Sequence, residues 1–134
     1  MAVVLDSDAV IGFLDRDDAL HDAADAAIRE VIGEHRIFVS AVTYAEVMTG
    51  ARLGHHDEEA VRGFFAELIS VIVPVDVAVA ERAADLRSRF RSLPMPDALI
   101  LASADSEASV ELIITGDRQI AKVSGLSCAV RLLD

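Results

Sequence analysis

The sequence predicts a single α/β domain, residues 1–134, built on a parallel central sheet flanked by helices. Three observations carry this. Short apolar runs alternate with amphipathic segments of helical period along the whole chain, the pattern of strands joined by crossover helices. The runs Ala2–Leu5 and Leu112–Ile114 are apolar throughout, as strands buried on both faces of a parallel sheet must be. No linker, repeat or low-complexity stretch divides the 134 residues, a length suited to one core.

The elements follow in order. A short strand, about Val3–Leu5, leads into a helix with Val10, Phe13 and Leu14 on one face. A second helix, from about Ala19 to Ile32, places Ala24, Ala27, Ile28, Val31 and Ile32 at helical spacing, and Gly33 is its stop. Ile37–Val39 is the second strand, and Ser40 suits the N-cap of the helix that carries Glu46. A helix with Val61, Phe64, Phe65 and Leu68 precedes the strand Val71–Val73. After Pro74, the residues Val79, Ala83, Leu86 and Phe90 trace another amphipathic helix. Pro94-Met95-Pro96-Asp97 opens the next, because proline and acids both suit a first helical turn. A strand over Val110–Ile114, a short helix after Asp117 and a strand near Ala129–Leu132 complete the chain.

Composition narrows the function classes. Apolar residues make up 53% of the chain, which excludes disorder. No apolar stretch reaches the roughly 20 residues of a membrane helix, and the N-terminus lacks a signal-peptide pattern, so a cytoplasmic protein is expected. Cys128 is the single cysteine and reads as a small core residue. The net charge of −11, with Lys122 the one lysine beside eleven arginines, argues against a general nucleic-acid coating protein. A nuclease remains compatible, because bound metal neutralises an acidic site locally.

Four carboxylates stand out. Asp6 ends the first apolar run, and Asp117 follows Leu112–Ile114 through Thr115-Gly116. Glu46 is the only charged residue between Arg36 and Arg52, and Asp97 the only one between Arg91 and Asp105. Burying a carboxylate is costly without a partner, so isolated acids in apolar surroundings call for a reason. Ligands of parallel α/β sheets collect at the carboxyl ends of the strands. Asp6 and Asp117 lie there, and Glu46 and Asp97 sit on helices able to overhang the same edge. Gathered together, the four make a cage of hard oxygen ligands suited to Mg²⁺ or Mn²⁺. Each also has a local alternative: a turn or N-cap role for Asp6, a dipole-favoured first-turn acid at Asp97, a cap at Asp117, a solvent-facing helix position for Glu46. Asp8 either joins the crevice or caps the first helix. Ser7 and Thr115 supply hydroxyls nearby. The pair His55-His56 lies in a connection, and His21 and His35 read as surface residues. Arg82, Arg87, Arg89 and Arg91 are either a phosphate-binding group, a dock for an acidic partner, or a solvated face paired with Glu81 and Asp85.

Taken with these residues, the chain resembles the PIN-domain ribonucleases, specifically VapC-type toxins of toxin–antitoxin pairs. Val3-Val4-Leu5-Asp6-Ser7 resembles the family's first strand and aspartate. The segment Ser40 to Gly50, with Thr43 and Glu46, resembles its second acidic helix. Pro94–Ile100 resembles the helix of the third acid, and Ile113–Arg118 the last strand and turn. Asp8 departs from the family pattern, where serine, threonine or asparagine is more usual. The resemblance implies a PIN-like domain with Mg²⁺- or Mn²⁺-dependent endoribonuclease activity on RNA. It also implies a cognate VapB-type antitoxin and a homodimer. Metal would be held by Asp6, Asp97 and Asp117, with Glu46 a further ligand or the base. An inhibitor would insert an arginine among the carboxylates and dock on the helices of Phe13, Leu14, Tyr44 and Met48.

Two other classes compete. Asp6-Ser7-Asp8-Ala9-Val10 matches the nucleophile motif of haloacid dehalogenase-type phosphatases, with Asp6 attacking phosphorus. That class needs a lysine ahead of its final acidic motif, and Lys122 follows Asp117 instead. A signalling receiver would want an aspartate after a middle strand, where Ser40 and Pro74 stand.

Overall fold

The computed structural model describes residues 1–134 as one domain. Its elements are β1 (Ala2–Leu5), α1 (Ser7–Leu14), α2 (His21–Val31), β2 (Arg36–Ser40), α3 (Ala41–Arg52) and α4 (Glu58–Leu68). Then follow β3 (Val71–Val73), α5 (Val77–Arg89), α6 (Met95–Asp105), β4 (Val110–Thr115), α7 (Arg118–Ala121) and β5 (Ala129–Leu132). The five strands form one sheet in the order β3-β2-β1-β4-β5, with every pair parallel. The expected α/β architecture is therefore the observed one.

β1 is central and wholly buried, and its side chains alternate between two cores. Val3 and Leu5 join a cluster of 18 buried residues with Ile28, Val47 and Phe64, under α1, α2, α3 and α4. Ala2 and Val4 join a second cluster of 16 with Leu86, Leu101 and Ile113, under α5, α6 and α7. Each buried Leu, Ile or Phe side chain contributes about 1.5–3 kcal/mol, so the two layers clamp β1 from both sides. Its register pairs Val4 with Phe38 and Leu5 with Ile114, which sets Asp6 level with the ends of β2 and β4.

Local chemistry fixes the boundaries. The α2 helix begins at His21, two residues later than the sequence suggests, because the Asp18 carboxylate accepts from Leu20 N–H at 2.8 Å and holds a turn there. It ends at Val31 with Ile32 as its C-cap, and Gly33 just beyond has a φ of +89°, a conformation that glycine adopts without steric cost. Ser40 caps α3, accepting from Val42 N–H at 3.1 Å, and its hydroxyl also accepts from buried Ser103 at 2.9 Å. That second bond ties α3 to α6, the two helices that carry Glu46 and Asp97. No helix is long and apolar enough to cross a membrane.

Candidate active site

All four isolated acids sit at the carboxyl edge of the sheet. Asp6 follows the last residue of β1, and its side chain is nearly sealed, at 4% exposure. Its Oδ1 accepts from Ser7 N–H at 2.8 Å, which caps α1, and its Oδ2 accepts from the Thr115 hydroxyl at 2.7 Å. The capping role foreseen for Asp6 is therefore present, while its second oxygen faces Thr115 at the end of β4. Burial pushes its pKa up to about 7; the Asp8 charge adds to the rise, and Asp97 does so more weakly.

Asp117 ends the parallel neighbour of β1 and caps α7, accepting from Gln119 N–H at 2.8 Å. Its own N–H donates to the Thr115 hydroxyl at 3.0 Å, so Thr115 links Asp6 to the Asp117 backbone. Asp97 lies in the first turn of α6 and is half-buried. Desolvation raises its pKa to about 6, and the Asp117 and Glu46 charges push the same way. Asp97 thus lies within reach of the Asp117, Glu46 and Asp8 charges, and Asp6 within reach of Asp8 and Asp97.

Glu46 projects from α3 and is exposed, but it is not loose. The Ser7 hydroxyl donates to its Oε1 at 2.6 Å, and the same hydroxyl lies 3.2 Å from Thr43 Oγ1. Ser7, expected only as a nearby hydroxyl, therefore positions one of the two acids that helices carry to the strand ends.

Asp8 was left open by the sequence and belongs to this neighbourhood. Both of its oxygens accept from Gly116 N–H at 3.0 Å, tying α1 to the turn after β4. Burial raises its pKa, and the Asp117 charge adds to that. Gly116 is required by space: a Cβ there would collide with the Leu20 side chain and come within 3.0 Å of Asp8 Oδ2. No local signal marks the bond, because its partners are 108 residues apart.

The donor chemistry of the site, hard carboxylate oxygens with burial-raised pKa values, fits a small divalent cation. The oxygens do not form a closed ligand shell: no three acidic, histidine or cysteine side chains are grouped tightly enough to hold an ion. Repulsion between like charges favours that splayed arrangement.

Other expectations resolve plainly. His55 and His56 line a small cavity with Leu14, Asp15 and Arg16, at the far end of α1 from Asp6. His21 and His35 are not free surface residues. His21 Nδ1 lies 2.8 Å from Gly12 O, and His35 Nδ1 lies 3.2 Å from Glu111. Arg82 pairs with Asp105 at 2.7 Å and donates to Gly125 O, so neither Glu81 nor Asp85 is its partner. Arg87 donates to Leu93 O at 2.7 Å and braces the turn from α5 to α6. Cys128 packs half-buried against the second core, and burial pushes its thiol pKa up, away from nucleophile chemistry.

Comparison with known proteins gives the same fold. The chain is similar to a toxin–antitoxin complex from Klebsiella pneumoniae, at 28% identity over 96% of this chain and 95% of that one, with a TM-score of 0.72. It is also similar in fold to VapBC2 from Rickettsia felis bound to a promoter DNA fragment, at 14% identity, 100% coverage of both chains and a TM-score of 0.77. VapBC-5 from Mycobacterium tuberculosis matches at 23% identity over 98% of this chain and 97% of that one, with a TM-score of 0.64. No curated protein matches the chain. The PIN domain family model matches residues 3–126, nearly the full length, and the chain belongs to that family.

Proposed function

We propose that this PIN domain is a divalent-metal-dependent endoribonuclease, the VapC-type toxin of a toxin–antitoxin pair acting in the cytoplasm. The observation that carries it is the acid set Asp6, Glu46, Asp97 and Asp117 at one sheet edge, with the Asp6 and Asp97 carboxyls raised by burial and by the charges of neighbouring acids. The match to a toxin–antitoxin complex at 28% identity supports the toxin part of the reading.

Asp6, Asp97 and Asp117, with Glu46 beside them, would hold Mg²⁺ or Mn²⁺. When bound, such an ion offsets charge on the scissile phosphate and makes water a better acid. The remaining work falls to the chain. Thr115 and the Ser7 N–H hold Asp6 in one orientation. Glu46 uses one oxygen for Ser7, leaving the other free to take a proton from an attacking water. Attack on phosphorus then breaks one P–O bond, and the leaving oxygen takes up a proton. A cognate VapB-type antitoxin and a homodimer belong to the same proposal. Tyr44, Met48 and Leu53 line an open apolar groove of about 410 Å³ beside Glu46, a fitting seat for such a partner.

The phosphatase reading has no comparable support. Both Asp8 oxygens accept from Gly116 N–H, which ties α1 to the turn after β4. Lys122 lies beyond α7, exposed.

Cleavage of total RNA and transfer RNA with Mg²⁺, Mn²⁺ or EDTA tests the proposal. The wild type should cut with metal, and neither EDTA samples nor Asp97→Asn should. Equal cutting by Asp97→Asn, or hydrolysis of a phosphomonoester in place of RNA, would overturn it.

A further inference from the structure

This strongly acidic chain places its uncommitted positive charge in one location. Of the twelve basic residues, Arg29, Arg52, Arg62, Arg82 and Arg131 are paired with carboxylates. Five of the remaining seven, Arg87, Arg89, Arg91, Arg118 and Lys122, lie on two short stretches: the end of α5 with the turn after it, and α7 with its C-cap. Those stretches form the two walls of an open groove of about 650 Å³, lined by Arg89, Phe90, Arg91, Gln119 and Lys122 among others. Arg89, Arg91, Gln119 and Lys122 are exposed, so their donors are available to a ligand.

Both walls of the groove lead back to the acids along the chain. One wall runs through Leu93 and Pro94 directly into the turn that holds Asp97, and the other begins at the residue after Asp117. Arg87 is spent on Leu93 O and the more distant Arg91 O, at 2.7 and 3.4 Å, which fixes the shape of the first wall. Phe90 is only half-buried, with the Arg89 guanidinium 5.9 Å from its ring centre. An aromatic face between cations, in a groove whose walls lead along the chain to a phosphate-chemistry site, suits an unpaired nucleic-acid strand: cations track the backbone and the ring offers a surface to a base.

We propose that this groove binds the phosphodiester backbone of substrate RNA beside the scissile bond, with Arg89, Arg91 and Lys122 as the phosphate contacts. The inference rests on the nuclease reading. It explains how a chain with net charge −11 holds a polyanion: the phosphates meet only this local positive strip.

The test is fluorescence anisotropy with a labelled single-stranded RNA of about 12 nucleotides, in Mg²⁺, on the Asp97→Asn background so that the strand stays whole. Adding Arg91→Ala and Lys122→Ala should weaken binding about tenfold at low salt. The slope of log affinity against log salt should flatten by about 1.4, two contacts at about 0.7 each on a single strand. Arg36→Ala, at the opposite edge of the sheet, is the control and should change neither. In the otherwise wild-type enzyme the groove substitutions should raise KM for RNA with kcat at saturation unchanged. Unchanged affinity and slope, or an equal loss in Arg36→Ala, would overturn the groove while leaving the nuclease reading intact. Loss of binding to an acidic peptide, with RNA binding unaffected, would instead assign the groove to a protein partner and overturn the proposal. A parent protein that neither binds nor cleaves RNA would remove both readings.

Discussion

Replacing Asp97 by asparagine should make the metal-free protein more stable while abolishing its activity. The pKa of Asp97 rises from the usual 3.8 to about 6 in the fold. At about 1.4 kcal/mol per pH unit that is about 3 kcal/mol against the ionised form. Asp97 is half-buried, and solvent screening reduces the figure to about 1.5 kcal/mol. Asparagine also gives up a favourable charge in the first turn of α6, worth about 0.5 kcal/mol, so the net gain is about 1 kcal/mol. For 134 residues that is a rise of roughly 3–4 °C in Tm. The sign with pH follows from the direction of the shift. A carboxylate with a raised folded pKa adds stability in its protonated form, and that contribution is lost as pH rises through the folded value. The advantage of Asp97→Asn is therefore absent below about pH 4, grows between 3.8 and about 6, and is complete above pH 7. Thermal unfolding of both proteins in EDTA at about pH 4 and pH 8 reads this out, with a second pair of scans in excess Mg²⁺. Wild type should gain from metal, and the variant should gain less. A variant that melts lower than wild type at pH 8, or a gap identical at both pH values, would refute like-charge crowding at Asp97.

Three further outcomes test the same site. Asp8→Asn keeps an acceptor for Gly116 N–H and should leave RNA cleavage within about threefold, whereas Asp8→Ala strands a partly buried donor and should cost about 1–3 kcal/mol in denaturant unfolding. Inactivity of Asp8→Asn alongside normal folding would make Asp8 part of the chemistry. Gly116→Ala should lose about 1–3 kcal/mol through the clash with Leu20 and Asp8, with reduced cleavage; a Tm within about 1 °C of wild type would mean that the loop yields freely. Protons compete with metal at Asp6 and Asp97, so the Tm gain from Mg²⁺ should shrink as pH falls through about 7 and then 6. A gain constant from about pH 5 to pH 8 would show that these two acids do not bind the ion.

Much of the fold is legible in the sequence because its signals are local. Hydrophobic period marks α2, α4 and α5; β3 and β5 fall on the residues read as strands; Ser40, Gly33 and Pro94-Met95-Pro96 mark helix ends through their own backbone chemistry. The location of the four acids is also legible, since an α/β alternation already implies which ends of the strands share an edge. What the sequence withholds are the bonds between distant residues. Ser7 to Glu46, Asp8 to Gly116 and Arg82 to Asp105 join elements that meet only after the sheet is assembled. Arg82 shows the limit clearly: Glu81 and Asp85 are nearer in sequence, yet the α5–α6 packing gives it Asp105. The groove beside the acids was likewise visible only as an arginine-rich stretch, because its second wall comes from α7.

The central position of β1 has a consequence for how the chain emerges from the ribosome. Asp6 is made well ahead of its hydroxyl partner Thr115, which comes 109 residues later, and Gly116 is 108 residues beyond Asp8. At about 5–20 residues per second, the nascent chain carries its first aspartate for about 5–20 s before β4 exists to pair with β1. During that interval β2 is the only neighbour β1 can find, and the halves of the acid set stay on separate pieces of polypeptide. Translation itself thus keeps the site unassembled until β4 has been made.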